Sequence, residues 1–254
     1  MQAPWHGRKV LLIDLDDTLY RVPEIPTLMR DNIQRYMLDQ LHIAAEQVPD
    51  LCTECYSTYG TTMAGLVAKG YSLPYDEWHA AVHGTLPYQR LLAKDEQLVQ
   101  LLQSIPLPKF VFTNADRKHA EVCLGILGLG HLFEGIICFE SIQEQALQQG
   151  LRTAAGPIIC KPAKEAFQLA LQQCGGDADT AIFLDDSLRN VSAGRALGMF
   201  TVQVGCTSTQ SADLAVPTLH ALPAWLWSGG HAPAAQHLAP NMDGLLQEKV
   251  LVTS

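Results

Sequence analysis

Five short stretches of the chain are apolar at almost every position and do not alternate between apolar and polar residues. Continuous apolar runs of this length are typical of strands that are covered on both faces. The runs are VLLID (10–14), KFVFTN (109–114), GIICFE (135–140), TAIFLDD (180–186) and FTVQVG (200–205). We therefore predict five strands of a buried sheet.

Apolar residues at helical spacing fill the intervals between the later strands. Residues 116–130 end at Gly, residues 161–176 have Pro near the first turn and Gly-Gly at the end, and residues 187–199 give a shorter helix. Alternating strands and helices imply a parallel sheet with right-handed crossovers. The predicted fold class is α/β, with a Rossmann-like parallel sheet and helices on both faces.

The interval from residue 21 to residue 105 contains no convincing strand. Three segments at 26–41, 50–70 and 75–91 have helical spacing instead. We predict a helical cap inserted after the first strand. The predicted organisation is a core of residues 1–20 and 106–222, a cap of residues 21–105, and an irregular C-terminal extension of residues 223–254 with a last short helix or strand.

The composition of the chain excludes several classes of protein. The chain has 254 residues, of which 48% are hydrophobic and 17% charged, and this is a globular composition. A net charge of −9 argues against a nucleic-acid polymer as partner. Seven scattered cysteines, the absence of a signal peptide and the absence of a membrane-length apolar run lead us to expect a cytoplasmic protein without a membrane partner. Cys52 and Cys55 have metal-ligand spacing, but no second pair follows, so we expect them to pack.

Carboxylates follow two of the predicted strands. Asp14, Asp16 and Asp17 come after the first strand, and Asp185 and Asp186 end the fourth. The carboxyl ends of parallel strands share one edge of the sheet, so these acids are expected to meet. Several carboxylates in one pocket need a countercharge, and Mg²⁺ prefers carboxylate and water oxygens. We therefore predict a Mg²⁺ site, and we expect Asp17 to stabilise the turn.

The remaining polar groups at this edge suit a phosphoryl group. Thr113 and Asn114 follow the second strand, and Lys161 opens a helix. A hydroxyl, an amide and an ammonium can all bind phosphate oxygens. An Asp carboxylate can accept a phosphoryl group, and two residues spaced as Asp14 and Asp16 can face the same side, so that one attacks while the other handles the proton.

Four short motifs occur along the chain in the same order as in one known family of enzymes. DLDDTL (14–19), TN (113–114), CKP (160–162) and FLDDS (183–187) resemble the four motifs of the haloacid dehalogenase-like phosphohydrolases. Each motif alone is weak, and "TN" alone carries almost no information. Their order, with each at the end of a predicted strand or the start of a helix, makes the combined signal specific.

The resemblance implies the catalytic roles. Asp14 is implied to be the nucleophile and Asp16 the general acid/base. Thr113 is implied to bind the phosphoryl group, with Asn114 beside it, and Lys161 to hold its charge.

The resemblance also implies the ligands of Mg²⁺. These are Asp14, the backbone carbonyl of Asp16, and Asp186, with Asp185 next to them. Asn190 stands where many members of the family have a further acid.

Two segments of the predicted cap resemble one branch of this superfamily in particular. YGTTMAGLVAKGY (59–71) and VHGTLPY (82–88) look like segments of the pyrimidine 5′-nucleotidases of fungi and plants. The implied substrate is a small phosphorylated metabolite, a mononucleotide such as UMP or CMP. Thr61, Thr62 and His83 are the candidate cap contacts to it.

Four other functions agree with the sequence less well or no better than a nucleotidase does. A phosphatase of the same superfamily for another small metabolite, such as a sugar phosphate, is the main alternative. A dehalogenase has no leaving alkoxide to protonate and needs no metal, which would leave Asp16 and Asp186 without a purpose. A phospho-acceptor signalling domain needs neither a cap nor a general acid/base. A catalytically inactive scaffold would not need the complete set of polar residues.

Overall fold

The computed structural model describes residues 7–223, and its sheet has six parallel strands in the order β3-β2-β1-β4-β5-β6. The predicted parallel α/β fold is confirmed. The strands are β1 (Val10–Ile13), β2 (Lys109–Phe112), β3 (Gly135–Ile137), β4 (Ala181–Asp185), β5 (Phe200–Val204) and β6 (Leu214–Val216). The short helix or strand predicted near the C-terminus lies outside the described residues.

The sheet is buried on both faces, which explains the absence of alternation in its sequence. Leu11 and Ile13 of β1 pack into one apolar cluster, and Val10 and Leu12 pack into a second cluster on the opposite face. All four residues are at most 3% exposed. Successive residues of a strand point to opposite faces, so both sets must be apolar when both faces are covered.

Two features of the sheet differ from the sequence prediction. Strand β6 was not predicted, because its three residues are too few to form a recognisable pattern. The predicted strand 135–140 is wrong at its end, since Phe139 and Glu140 begin a helix. The Ser141 hydroxyl accepts a hydrogen bond from the Cys138 amide at 3.0 Å and so supports the helix start there.

Within the described part of the chain, five helices pack against the sheet. They are α6 (Glu96–Ser104), α7 (Arg117–Leu127), α8 (Phe139–Gln148), α9 (Lys164–Cys174) and α10 (Leu188–Ala196). The three helices predicted in this part of the chain are present as α7, α9 and α10, whereas α8 was not predicted. Helix α7 begins at an Asp116 cap and ends at Gly128, whose left-handed φ of 74° suits glycine.

The segment predicted as the cap is helical in the structure, and most of its helices share one apolar cluster. The helices are α1 (Glu24–Asp39), α2 (Val48–Tyr59), α3 (Thr62–Ala68), α4 (Tyr75–Val82) and α5 (Tyr88–Leu91). Met37, Cys55 and Trp78 belong to this cluster, which Phe139 of α8 also joins, whereas Tyr88 of α5 packs in the cluster on the sheet. Helix α6 lies inside the predicted insert, but its Leu98 and Leu102 pack in the cluster on the sheet. Helical spacing alone does not tell which core a helix joins.

Within residues 7–223, every helix is too short or too polar to cross a lipid bilayer.

Candidate active site

Lys161 connects the ends of three strands. Asp14 follows β1 directly, and its amide donates to the Leu184 carbonyl at 2.9 Å, so the sheet pairing extends to this residue. The Lys161 ammonium lies 2.7 Å from Asp14 Oδ1 and 2.7 Å from Asp185 Oδ2, and it donates to the Phe112 carbonyl at 2.6 Å. These contacts use all three donors of the ammonium and fix it at the sheet edge.

The group around Lys161 has an excess of negative charge. Asp14, Asp185 and Asp186 can each place one oxygen so that all three lie within 4.8 Å of one another. Burial raises the pKa of Asp14, although the charge of Lys161 opposes the shift. Burial and the charge of Asp185 raise the pKa of Asp186 to about 6. One ammonium therefore does not balance the three carboxylates.

The residues present fit a hard divalent cation. The donor set consists of carboxylate oxygens alone, which is what Mg²⁺ prefers. A divalent charge would balance the two negative charges that Lys161 leaves over. The acidic cluster therefore fits a metal site, and Asp14 and Asp186 are its less constrained members.

Hydrogen bonds hold the Asp185 carboxylate more firmly than the carboxylate of the next residue, Asp186. It is 0% exposed, and its carboxylate accepts from Lys161, from the Ser187 amide at 2.8 Å, and from the Asn190 amide group at 3.0 and 3.1 Å. The Asp186 amide donates to Thr18 Oγ1 at 3.0 Å, which joins the loops after β1 and β4. Asn190 therefore orients Asp185.

Thr113 and Asn114 lie at the end of β2, next to Lys161. Thr113 is 2% exposed, and its hydroxyl accepts from the Ala115 amide at 3.0 Å. The Asn114 side chain accepts from the Lys161 amide at 2.9 Å and donates to the Lys161 carbonyl at 3.0 Å. The structure thus brings both residues to the site, where the Asn114 side chain positions the backbone of Lys161.

Asp16 belongs to a second hydrogen-bonded group. Its Oδ1 accepts from His119 Nε2 at 2.8 Å and from the Tyr20 hydroxyl. His119 Nδ1 contacts the Tyr88 hydroxyl, which donates its own proton to the His83 carbonyl at 3.0 Å. Because the Tyr88 oxygen must then accept, both ring nitrogens of His119 carry protons.

This pairing sets the charge of Asp16. Burial alone would raise its pKa, but the charge of His119 and the hydrogen bonds from His119 and Tyr20 lower the pKa of Asp16 to about 2. Burial alone would lower the pKa of His119, and the attraction of Asp16 raises it well above its usual value. The buried His119 ring and the Asp16 carboxylate, which is 26% exposed, form a carboxylate–imidazolium pair.

His119 is not among the site residues predicted from the sequence. A usable signal was present, because α7 begins just after the end of β2 and His119 is only three residues beyond the Asp116 cap. A residue in that first turn must lie near the edge of the sheet. Tyr88 could not be found in the same way, since its contact depends on how the segment after α4 packs against α7.

Thr61 lies where the cap touches the core. Its hydroxyl caps α3 by accepting from the Ala64 amide at 3.1 Å. The preceding Gly60 has a φ of +91°, and a Cβ at this position would lie 2.4 Å from the Lys161 carbonyl oxygen. Only glycine allows this close approach, so the turn between α2 and α3 packs directly on the Lys161 loop.

The two other predicted cap contacts have different surroundings. Thr62 is 5% exposed, and its hydroxyl lies 3.5 Å from Cys52 Sγ inside the cap. The His83 side chain contacts the core, because its Nδ1 lies 2.5 Å from Asp116 Oδ2. The structure therefore places Thr61 and His83 at the boundary between cap and core, and Thr62 within the cap.

Two further residues shape this boundary. The Arg189 guanidinium of α10 donates to the carbonyls of Tyr56 and Ser57 at 3.0 and 2.6 Å, near the C-terminus of α2. A cation is favourable at this end of a helix. Asp17 adopts a left-handed φ of 56° in the turn after β1, in agreement with the turn role expected from its position.

The comparisons with known proteins show the family. The model for haloacid dehalogenase-like hydrolases matches residues 8–198. The chain therefore belongs to the haloacid dehalogenase-like hydrolase family. Phosphate metabolism protein 8 of Saccharomyces cerevisiae is 29% identical over 208 residues, which are 77% of this chain and 61% of the yeast protein. The chain thus spans less than two thirds of the length of this relative.

Solved structures of low sequence identity share the fold. L-2-haloacid dehalogenase from Xanthobacter autotrophicus, with chloropropionic acid covalently bound, has a TM-score of 0.52 and 13% identity over 84% of this chain and 96% of that one. CbbY from Rhodobacter sphaeroides, in complex with phosphate, has a TM-score of 0.55 and 16% identity over 83% and 94%. The putative hydrolase YfnB from Bacillus subtilis, bound to magnesium, has a TM-score of 0.51 and 16% identity over 84% and 95%.

Proposed function

We propose that the protein is a Mg²⁺-dependent phosphomonoesterase that hydrolyses a pyrimidine nucleoside 5′-monophosphate, such as UMP or CMP, through an aspartyl-phosphate on Asp14. The observation that carries the proposal is the position of Lys161, whose ammonium contacts both Asp14 and Asp185 at 2.7 Å. A carboxylate nucleophile, a fixed cation and an oxygen-only metal site thus share one sheet edge. The yeast relative, phosphate metabolism protein 8, is named for phosphate metabolism, which supports phosphoryl chemistry.

In the first step a carboxylate oxygen of Asp14 attacks phosphorus, and the bond from phosphorus to the ester oxygen breaks. Lys161 holds Asp14 Oδ1, so Oδ2 is the oxygen that attacks. The Thr113 hydroxyl binds a phosphoryl oxygen, and the nearby Lys161 ammonium, whose donors are engaged, stabilises the phosphoryl charge electrostatically. Bound Mg²⁺, held by Asp14, Asp186 and the backbone carbonyl of Asp16, with Asp185 beside them, would supply positive charge to the transferring group.

The leaving alkoxide takes a proton, and the second step needs a base. Asp16 serves both purposes, since the acid of the first step becomes the base of the second. His119 lowers the pKa of Asp16 to about 2, so the proton passes from His119 through Asp16 to the leaving oxygen, and in the second step Asp16 takes a proton from the attacking water and returns it to His119. Water then attacks phosphorus, the bond to Asp14 breaks, and phosphate leaves.

The cap supports the nucleotide part of the proposal. The segment at 59–71, which resembles the nucleotidase branch, contributes Gly60, whose close approach to Lys161 brings Thr61 to the boundary beside the catalytic edge. A side chain at this position can contact the part of the substrate that lies beyond its phosphate. Closure of the cap would also keep bulk water from the aspartyl-phosphate.

A substrate panel tests the proposal. Phosphate release is measured with UMP, CMP, AMP, GMP, glucose 6-phosphate and p-nitrophenyl phosphate, each with Mg²⁺ and with EDTA. We expect the highest kcat/KM for a pyrimidine nucleotide, no turnover in EDTA, and none for Asp14→Asn, because an amide is a poor nucleophile.

Two outcomes would contradict the proposal at different levels. A higher kcat/KM for a sugar phosphate would keep the phosphatase and overturn the nucleotide substrate. Halide release from a 2-haloacid, without phosphate release from any ester, would overturn the phosphatase itself.

A further inference from the structure

Three side chains between cap and core form a group that the phosphatase proposal does not use as a unit. His79 lies in α4, His83 is the residue that ends this helix one turn later, and Asp116 caps α7. Each offers one atom such that the three atoms lie within 4.8 Å of one another. Asp116 Oδ2 lies 2.5 Å from His83 Nδ1 and 3.4 Å from His79 Nδ1.

His79 is buried without a hydrogen bond. The residue is 8% exposed, and neither ring nitrogen has a hydrogen-bond partner among residues 7–223. A buried polar group without a partner is unfavourable, so this ring points to a ligand for its lone pair. Contacts with Phe139, at 4.8 Å between ring centroids, and with His83, at 5.7 Å, fix its orientation.

We propose that His79, His83 and Asp116 bind a first-row transition-metal cation, with Zn²⁺ the best match, and that this cation ties the cap to the core. Two imidazoles and one carboxylate are an established zinc donor set, which leaves a fourth position for water. The spacing of four residues on a helix puts both imidazoles on one face. Since His79 and His83 belong to the cap and Asp116 to the core, the cation would join the two parts.

The observed separations are close to those that zinc requires. With bonds of about 2.0–2.1 Å, neighbouring ligand atoms of a tetrahedral zinc ion lie about 3.3 Å apart. The 3.4 Å between His79 Nδ1 and Asp116 Oδ2 already matches this value. His83 Nδ1, now 2.5 Å from the same oxygen, must move by less than an ångström.

The surroundings favour this cation over Mg²⁺. The ring of His119 stacks on His83 at 4.5 Å, but its nitrogens are already engaged, so it is not a fourth ligand. Nitrogen donors suit Zn²⁺ and Co²⁺, whereas the oxygen-only cluster at Asp14 suits Mg²⁺. The proposal does not depend on the phosphatase activity.

Co²⁺ is the spectroscopic probe for this site. The full chain is stripped with a chelator and titrated with Co²⁺ in excess Mg²⁺, which occupies the carboxylate cluster. We expect one equivalent of Co²⁺ to give the intense visible absorption of a four- or five-coordinate ion, and one equivalent of Zn²⁺ to bleach it.

Matched variants assign the band to the three residues. His79→Phe removes a donor and keeps an aromatic ring against Phe139, so Co²⁺ should bind about tenfold more weakly or worse. His131→Ala, which removes an exposed histidine, and Asp186→Asn, which alters the carboxylate cluster, should both keep the band. Asp116→Asn, which preserves a residue able to cap α7, decides the question if His79→Phe does not fold.

The opposite results overturn the proposal. They are the absence of a visible band in the wild-type protein, unchanged Co²⁺ affinity in a folded His79→Phe or Asp116→Asn variant, and loss of the band in Asp186→Asn.

Discussion

Replacement of Lys161 by Met tests the electrostatics of the site through protein stability. Met has a similar length and removes only the charge and its hydrogen bonds. Lys161 is 1% exposed and Asp185 is 0% exposed, so the two are fully desolvated. In Lys161→Met, two buried carboxylates lose the ammonium that contacts them at 2.7 Å.

The expected loss of unfolding free energy in Lys161→Met is large for a single substitution. Removing one partner of a buried ion pair costs about 3–5 kcal/mol, because the other charge stays buried and uncompensated. For a protein of this size each kcal/mol lowers Tm by about 2–4 °C, so Tm should fall by about 6–20 °C. This applies in EDTA, where no bound metal compensates for the missing ammonium.

The loss of unfolding free energy in Lys161→Met should become larger as pH rises from about 4 to neutral. Lys161 lowers the pKa of Asp14, which burial otherwise raises, so the variant moves the folded-state pKa further above the unfolded value of about 3.9. The folded state then binds more protons than the unfolded state, and the free energy of unfolding falls as pH rises between the two pKa values. The deficit relative to wild type should be smallest near pH 4 and largest at neutral pH.

Thermal and urea unfolding in EDTA, at several pH values, measure the effect. Adding Asp185→Asn to Lys161→Met should restore part of the stability, because it removes one of the uncompensated charges. Lys69→Met is a matched control, since the Lys69 ammonium pairs with Glu54 on the surface at 2.7 Å and should contribute little. Wild-type stability of Lys161→Met at neutral pH, or a deficit that grows on acidification, would refute the reasoning.

Three further predictions concern the proton, the cap and the metal. Asp16→Asn should slow nucleotide hydrolysis far more than p-nitrophenyl phosphate hydrolysis, because nitrophenolate needs little protonation; equal losses of kcat would argue against a general acid. Gly60→Ala should cost about 1–3 kcal/mol of unfolding free energy and lower kcat, whereas Gly125→Ala, with no atom within 4 Å of its added Cβ, should be neutral or stabilising; equal effects would refute the close packing at Gly60. Mg²⁺ should raise the Tm of the wild type more than that of Asp186→Asn, and identical shifts in calorimetry would contradict its role as a ligand.

The sheet and its polar edge were predictable because burial leaves a simple signature. Strands covered on both faces, such as Val10–Ile13, must be apolar throughout, and the residues that follow parallel strands must share an edge. These two rules bring Asp14, Thr113 and Asp186 together without knowledge of the loops. The family motifs then suggested their roles.

The rest of the site depends on contacts that have no local signal. Asn114 positions Lys161 across 47 residues of chain, and Tyr88 reaches His119 only because the segment after α4 packs on α7. The absence of a hydrogen-bond partner for His79 among the described residues likewise depends on how α4 packs against Phe139. Periodicity predicts that these helices exist, but it does not predict how they face one another.

The covalent intermediate is the central claim, and rapid acid quench tests it most directly. The enzyme is mixed with UMP and Mg²⁺, quenched within the first turnover, digested, and analysed by mass spectrometry for phosphorylation of the peptide that contains Asp14. The account predicts a hydroxylamine-labile phosphoryl group on Asp14 that appears before free phosphate accumulates. Turnover without a phosphorylated Asp14, or undiminished phosphate release by Asp14→Asn, would contradict it.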